Sequence, residues 1–232
     1  MFLITLSAVL LLALGCGCGE DDESNNNVDP NNVDGLKALA IGDSALEWNG
    51  IGASTPSQLE AAIRSAGTDM TVINTSISGT CLTACPEVGT LIPDQYTSSD
   101  YAFVLISGGA NDIFEGSNGC GSADPYMSAD LTGGLMVDLI NRVTADGNTV
   151  VLYGYFEPLD EGGSVAACGA LWTLLERYQD FAANRDDVVF INAMDVIDRS
   201  KPQYYADDVH PSPEGSAALG NHIALQLGYL PD

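Results

Sequence analysis

A chain of 232 residues can build one hydrophobic core of full size but has little room for two, and 46% apolar residues with 25 glycines suit a globular α/β protein. Its 32 acidic residues stand against 7 Lys plus Arg, and the formal net charge of -25 repels a phosphate backbone, which sets nucleic acid aside as a partner. The same field favours neutral or cationic substrates, although an acidic, lysine-poor surface also serves solubility alone.

Residues 1–15 form an apolar run, too short to span a bilayer comfortably, that ends in small residues. It has the form of a signal-peptide core and is excluded from the fold. Its exit, Ala13-Leu14-Gly15-Cys16, resembles a bacterial lipobox. That resemblance implies an exported protein of the bacterial cell envelope, with Cys16 as lipid anchor and mature N-terminus. A secretory signal cut nearby without lipidation, giving a soluble secreted or periplasmic protein, is the alternative. Residues 16–35, rich in Asp, Glu and Asn, have no periodicity and bury too little apolar surface to offset ordering entropy, so they read as a disordered tether. The folded domain is then residues 36–232.

Within that domain strands alternate with helices, which predicts a parallel sheet covered by helices on both faces: a three-layer α/β/α sandwich of flavodoxin type with about five strands. The first strand is read at Ala38–Ile41. Thr55-Pro56-Ser57-Gln58 offers an N-cap, a proline for the first turn and a capping-box glutamine for a helix to about Ser65. Strands follow at Thr71–Ile77 and Tyr101–Ile106, separated by a long loop. A helix over Leu131–Ala145 repeats Leu135, Leu139 and Val143 on one face, and Thr149–Phe156 is the fourth strand. A helix over Leu171–Ala183, a strand over Val188–Asn192 and a last helix opened by Ser212-Pro213 and closed by Gly228 complete the chain.

The chemistry lies at two ends of this domain. Gly42-Asp43-Ser44 puts a serine just after the first strand, at the sheet edge where open α/β proteins bind ligands. Near the C-terminus, Asp207-Asp208-Val209-His210-Pro211 sets a carboxylate three residues before a histidine in a loop. A serine hydroxyl needs a base to take its proton, and the base works best when a carboxylate fixes its tautomer. The other histidine, His222, sits inside the last helix and reads as structural. No Gly-x-Ser-x-Gly elbow and no His-Glu-x-x-His motif occurs, which disfavours other serine hydrolases and metal hydrolysis.

With Gly79 and Gly109-Ala110-Asn111-Asp112 between them, these blocks resemble, in order, the motifs of the SGNH or GDSL hydrolase superfamily, over about Ala38 to Leu227. The resemblance implies a serine esterase working through an acyl-enzyme without cofactor or metal. Ser44 would be the nucleophile, His210 the general base and acid, and Asp207 the orienting carboxylate. The backbone N–H groups of Ser44 and Gly79 and the side-chain amide of Asn111 would form the oxyanion hole. Asp43 and Asp112 read as hydrogen-bonding loop residues. Asp208 adds a second carboxylate near His210, expected to favour the imidazolium and move the acid limb of activity upward.

Cys81, Cys85, Cys120 and Cys168 are an even set in an exported chain and read as disulfides. Three pairings are open to them. The one carried forward is Cys81 with Cys85 and Cys120 with Cys168, stiffening the rim of the site. Trp48 either packs in the core or lines the acyl pocket. The expected substrate is a small-molecule or glycan ester, short-chain acyl or O-acetylated, acted on by a monomer tethered to the membrane. A lysophospholipase or thioesterase of the same family, and a surface binding module that kept the fold without turnover, are the alternatives.

Overall fold

The structure is a computed structural model that describes residues 35–85, 88–114 and 119–231. The expected signal peptide, Cys16 and the tether as far as Asp34 lie outside the described residues. Strands β1 (Leu36–Ile41), β2 (Met70–Asn74), β3 (Val104–Ile106), β4 (Val150–Gly154) and β5 (Val188–Asn192) form one parallel sheet in the order β2-β1-β3-β4-β5. That is the flavodoxin-like order. Leu36 lies opposite Met70, Ile41 opposite Ile106, and Val104 opposite Val150, which in turn faces Val188.

Side chains of a strand alternate between faces, and here each face finds its own helices. Leu39, Ile41, Val104, Ile106 and Leu152 pack on α4 (Leu135–Ala145) and α5 (Gly169–Ala183), through residues such as Ile140, Val143, Leu174 and Tyr178. Ala38, Ala40, Leu105, Val151 and Tyr153 face the other way, onto α2 (Thr55–Ser65) and α6 (Pro213–Gln226). Strands covered on both faces must be apolar throughout, and β3 and β4 are buried along their full length. Leu59 and Ile63 of α2 are fully buried, each worth roughly 1.5–3 kcal/mol in area removed from water.

Several boundaries differ from the sequence reading. Strand β2 stops at Asn74, and the chain to Ile77 still runs beside β1, with Thr75 N–H donating to Ala40 O and Ile77 N–H to Gly42 O, but as loop. Strand β3 starts at Val104, where pairing to both β1 and β4 begins. Helix α4 starts at Leu135 because Leu131 stands at φ 62°, which no right-handed helix admits. Helix α2 starts one residue after Ser54, and the Gln58 amide donates to Gly52 O at 2.7 Å instead of closing a capping box. Among the described residues no helix is long and apolar enough to cross a membrane.

In this strand order the chain goes from β1 to β2 on one side and to β3 on the other. The connections diverge between β1 and β3 and leave a crevice at the strands' C-terminal ends, which is where Ser44 emerges.

Candidate active site

The turn that presents Ser44 is built by residues far from it in sequence. Gly42 has φ 146°, and a Cβ there would collide with Ser107, so the chain can pass only as glycine. Gln95, from a 3₁₀ turn at Ile92–Gln95, grips both polar groups of Gly42: its Oε1 accepts from the N–H at 2.6 Å and its Nε2 donates to the carbonyl at 3.0 Å. Ser44 then opens the short helix α1 (Ser44–Glu47), with Asp43 as N-cap accepting from Ala45 N–H at 3.1 Å.

Asp43 is buried, and its carboxylate also accepts from Ser107 Oγ at 2.9 Å and from the Tyr155 hydroxyl. Burial pushes this carboxyl above its ordinary value of 3.8, against the pull of the bonds from Tyr155, Ala45 and Ser107. Burial and the neighbouring Asp43 charge hold the Tyr155 phenol well above its usual range, so it stays protonated and donates.

The two ends of the domain meet here. Ser44 Oγ lies 2.9 Å from His210 Nε2, and His210 Nδ1 lies 2.8 Å from Asp207 Oδ2. The other Asp207 oxygen accepts the N–H groups of Val209 and His210, both at 2.9 Å, closing a tight turn that fixes the carboxylate under the ring. Burial opposes the charge on Asp207, but the bonds from the His210 ring and from these two amides outweigh it and hold the carboxyl below its usual range. The loop is pinned beyond His210 by Ser212, N-cap of α6, whose Oγ accepts from Gly215 N–H. Trp48 stacks on the imidazole with ring centroids 3.9 Å apart and planes 8° off parallel.

Gly79, at φ 80°, and Asn111, in the short helix α3 (Ala110–Phe114), line the same cleft as Ser44 and His210. Asn111 Nδ2 donates to Thr80 O at 2.9 Å, and since a primary amide carries two N–H groups, one remains for a ligand. Asp112 accepts from Leu82 N–H, Thr83 N–H and Thr83 Oγ1, each at 2.8 Å, and so ties α3 to the loop after Gly79. The cleft holds about 350 Å³. Its apolar wall includes Trp48, Phe114, Phe156, Val165 and Leu171.

Cys81 is bonded to Cys85 and Cys120 to Cys168, the pairing carried forward from the sequence. The second bridge ties the chain just after α3 to the start of α5, beside the cleft wall formed by Val165 and Leu171. Asp208 departs from expectation. Its carboxylate accepts from Asp160 N–H and its carbonyl from Leu159 N–H, so it fastens the 158–163 loop instead of facing the imidazole. His222 lies on α6 and lines a separate cavity with Gln179 and Asn192. No motif marks Gln95, Ser107, Tyr155 or Asn49, because Gly42, Asp43, Ala110 and Pro211, which they hold, lie 45 residues or more away. Among the described residues no group of three or more His, Cys, Asp or Glu is placed to hold a metal ion.

A flavodoxin-like sheet with a serine, an imidazole and a carboxylate hydrogen-bonded in series at its C-terminal edge defines a serine hydrolase. The GDSL-like lipase/acylhydrolase family model matches residues 40–218, and the chain belongs to that family. A search of curated proteins finds no significant match. Among solved structures the chain resembles an acetylxylan esterase from Geobacillus stearothermophilus, determined as a catalytic mutant, with 15% identity and a TM-score of 0.65 over 86% of this chain and 98% of that one. It also resembles a carbohydrate acetylesterase from Sinorhizobium meliloti, at 19% identity, TM-score 0.63, 83% and 98% covered. A lipolytic G-D-S-L family member from Veillonella parvula aligns at 14% identity, TM-score 0.61, 83% and 97% covered. At these identities the likeness is one of fold. The chain is a GDSL-family esterase or acylhydrolase, and small-molecule esters are the substrates that membership implies.

Proposed function

We propose that this esterase works through an acyl-enzyme on Ser44. The observation that carries the reading is the unbroken hydrogen-bond series Ser44 Oγ, His210, Asp207, at 2.9 and 2.8 Å. Ser44 Oγ bonds to the ester carbonyl carbon as its proton passes to His210 Nε2, and the carbonyl π pair moves onto oxygen. The oxyanion is received by the N–H groups of Ser44 and Gly79 and by Asn111 Nδ2. Collapse breaks the bond to the alcohol oxygen, which leaves with the Nε2 proton. Water then repeats the sequence on the acyl-enzyme, releasing the acid and restoring the hydroxyl. Asp207, charged throughout, stabilises the imidazolium formed in each half.

The cleft supports a substrate class. An apolar cavity of about 150 Å³ accepts benzene, and this one is more than twice that size. After room for the ester group itself, its apolar wall suits an acyl chain of roughly four to eight carbons. Esters of such acids therefore stand ahead of O-acetylated glycans, the second reading, which the two acetylesterases of like fold favour. Export with lipidation at Cys16 is part of the proposal, supported by the lipobox-like sequence and by two disulfides. An acylated N-terminal peptide in mass spectra would support the anchor, and a free amine at a later residue would remove it.

A series of p-nitrophenyl esters from acetate to decanoate, on wild type and Ser44→Ala, tests the catalytic reading. The Ser44→Ala rate should fall by about 10⁴-fold or more, and the wild-type rate should peak between butyrate and octanoate. Equal rates in both proteins refute the mechanism. A maximum at acetate leaves the mechanism standing and refutes the acyl preference.

A further inference from the structure

The turn that follows the nucleophile reaches across to the base. Trp48 caps α1, its N–H donating to the Ser44 carbonyl at 3.0 Å, and its indole covers one face of the His210 ring. Asn49 follows at φ 71°, a left-handed conformation that asparagine tolerates better than most residues. From there its Nδ2 donates to Pro211 O at 2.8 Å and to Ser216 Oγ at 3.1 Å. Pro211 is the residue after His210, and Ser216 lies in the first turns of α6. Two successive residues, within two turns of Ser44, thus touch the ring of its hydrogen-bond partner and the main chain one residue beyond it.

The geometry gives each contact separate work. The bond that His210 Nδ1–H donates to Asp207 holds one ring nitrogen and leaves the imidazole free to turn about that bond. A flat surface against the ring face removes the remaining freedom and keeps Nε2 aimed at Ser44 Oγ. The indole face also attracts the ring more strongly once it is protonated, at the step where His210 holds the serine proton. Asn49 anchors the loop itself, so that the ring is not carried away with its backbone.

We propose that Trp48 and Asn49 are a two-point clamp that positions His210 against Ser44, Trp48 fixing the plane of the ring and Asn49 the main chain that carries it. The proposal rests on the assignment of Ser44 and His210 as nucleophile and base. Misplacement of a catalytic group by about 1 Å can cost on the order of 100-fold in rate, so partial loss of the clamp should lower kcat by about tenfold.

Asn49→Gly admits the positive φ and removes the amide together with its Cβ, and Asn49 is not among the residues that line the cleft. Its kcat on p-nitrophenyl acetate should fall by about tenfold with KM within about twofold. Trp48→Leu should lose a comparable factor, and Trp48→Phe, which keeps a flat face, should recover most of it. Because the chain has two histidines, ¹⁵N-histidine NMR with His222→Gln for assignment reads His210 directly. Its Asp207-bonded ring proton should be sharp in the wild type and broaden by exchange in Asn49→Gly and Trp48→Leu. The clamp is overturned if both variants keep kcat within about twofold with an unchanged His210 resonance, or if lost activity only follows the unfolded fraction in thermal melts. Ser44→Ala measured alongside separates the two readings: full turnover in that variant defeats the nucleophile assignment, whereas its inactivity with an active Asn49→Gly defeats only the clamp.

Discussion

Tyr155→Phe removes one oxygen atom, and the structure places the cost at Asp43. The buried Asp43 carboxylate has three donors, Ala45 N–H, Ser107 Oγ and the Tyr155 hydroxyl, and the variant leaves two. The Tyr155 oxygen also lies 3.4 Å from Ala110 N as an acceptor, so it joins the turn before Ser44 to the helix that carries Asn111. A hydrogen bond to a charged group is worth about 1.5–3 kcal/mol net, and about 2 kcal/mol should appear as a fall in unfolding midpoint of roughly 4–8 °C for a domain of this size.

The deficit should depend on pH with a definite sign. Burial raises the Asp43 carboxyl above its unfolded value in the wild type, and losing the Tyr155 bond raises it further. A raised folded-state pKa means that the folded protein holds the proton more tightly, so Asp43 subtracts stability as pH climbs from the unfolded value through the folded one. The Tyr155→Phe deficit should therefore be largest near neutrality and shrink in acid, where only a neutral bond of about 0.5–1.5 kcal/mol is lost. Thermal unfolding followed by circular dichroism across that range measures it. A deficit below about 0.5 kcal/mol, or one equal at about pH 4 and about pH 8, would refute the account of Asp43 as a buried, hydrogen-bonded charge.

Other consequences are as specific. Asn111→Ala should reduce kcat by about 10²–10³ with little change in KM, since the amide is assigned to charge that develops only in the transition state; steady-state kinetics decide it, and a rise in KM alone would contradict the role. Replacing Cys120 and Cys168 by alanine frees a loop of sequence separation 48, for which the chain-entropy model gives about 4 kcal/mol, against about 2 kcal/mol for the separation of 4 between Cys81 and Cys85. Denaturant melts of the two double variants should rank in that order. Asp208→Ala removes the acceptor of the Asp160 N–H and should lower the unfolding midpoint by the loss of a bond worth about 0.5–1.5 kcal/mol, and an unchanged midpoint in thermal melts would contradict its part in fastening the 158–163 loop.

Much of this architecture is legible in the sequence for a simple reason. Strands buried on both faces must be apolar and helices on them amphipathic, so the alternation of Val150–Gly154, Gly169–Ala183 and Val188–Asn192 declares itself locally. The serine, asparagine and histidine blocks declare themselves too, since each follows a strand or precedes the last helix. What escapes is whatever depends on a distant partner. Strand β2 reads as continuing to Ile77 because its residues favour strand, yet pairing ends at Asn74. Helices α1 and α3 are too short for a 3.6-residue period to register. Leu131 scores as helical, and only its left-handed backbone shows otherwise. Gln95 looks like one polar residue in a long loop, although it holds both polar groups of Gly42. Asp208 reads as a neighbour of His210 by number, whereas the tight turn closed by Asp207 sends its side chain to another loop.

The central claim is that Ser44 becomes covalently bonded during turnover with His210 taking its proton. A p-nitrophenyl alkylphosphonate forms a stable analogue of that adduct, and the tryptic peptide Ala38–Arg64 contains Ser44. Peptide mapping should find one phosphonyl group on Ser44, with labelling strongly slowed in His210→Ala. An unmodified Ser44 in protein that still hydrolyses esters, or wild-type turnover by Ser44→Ala, would contradict it.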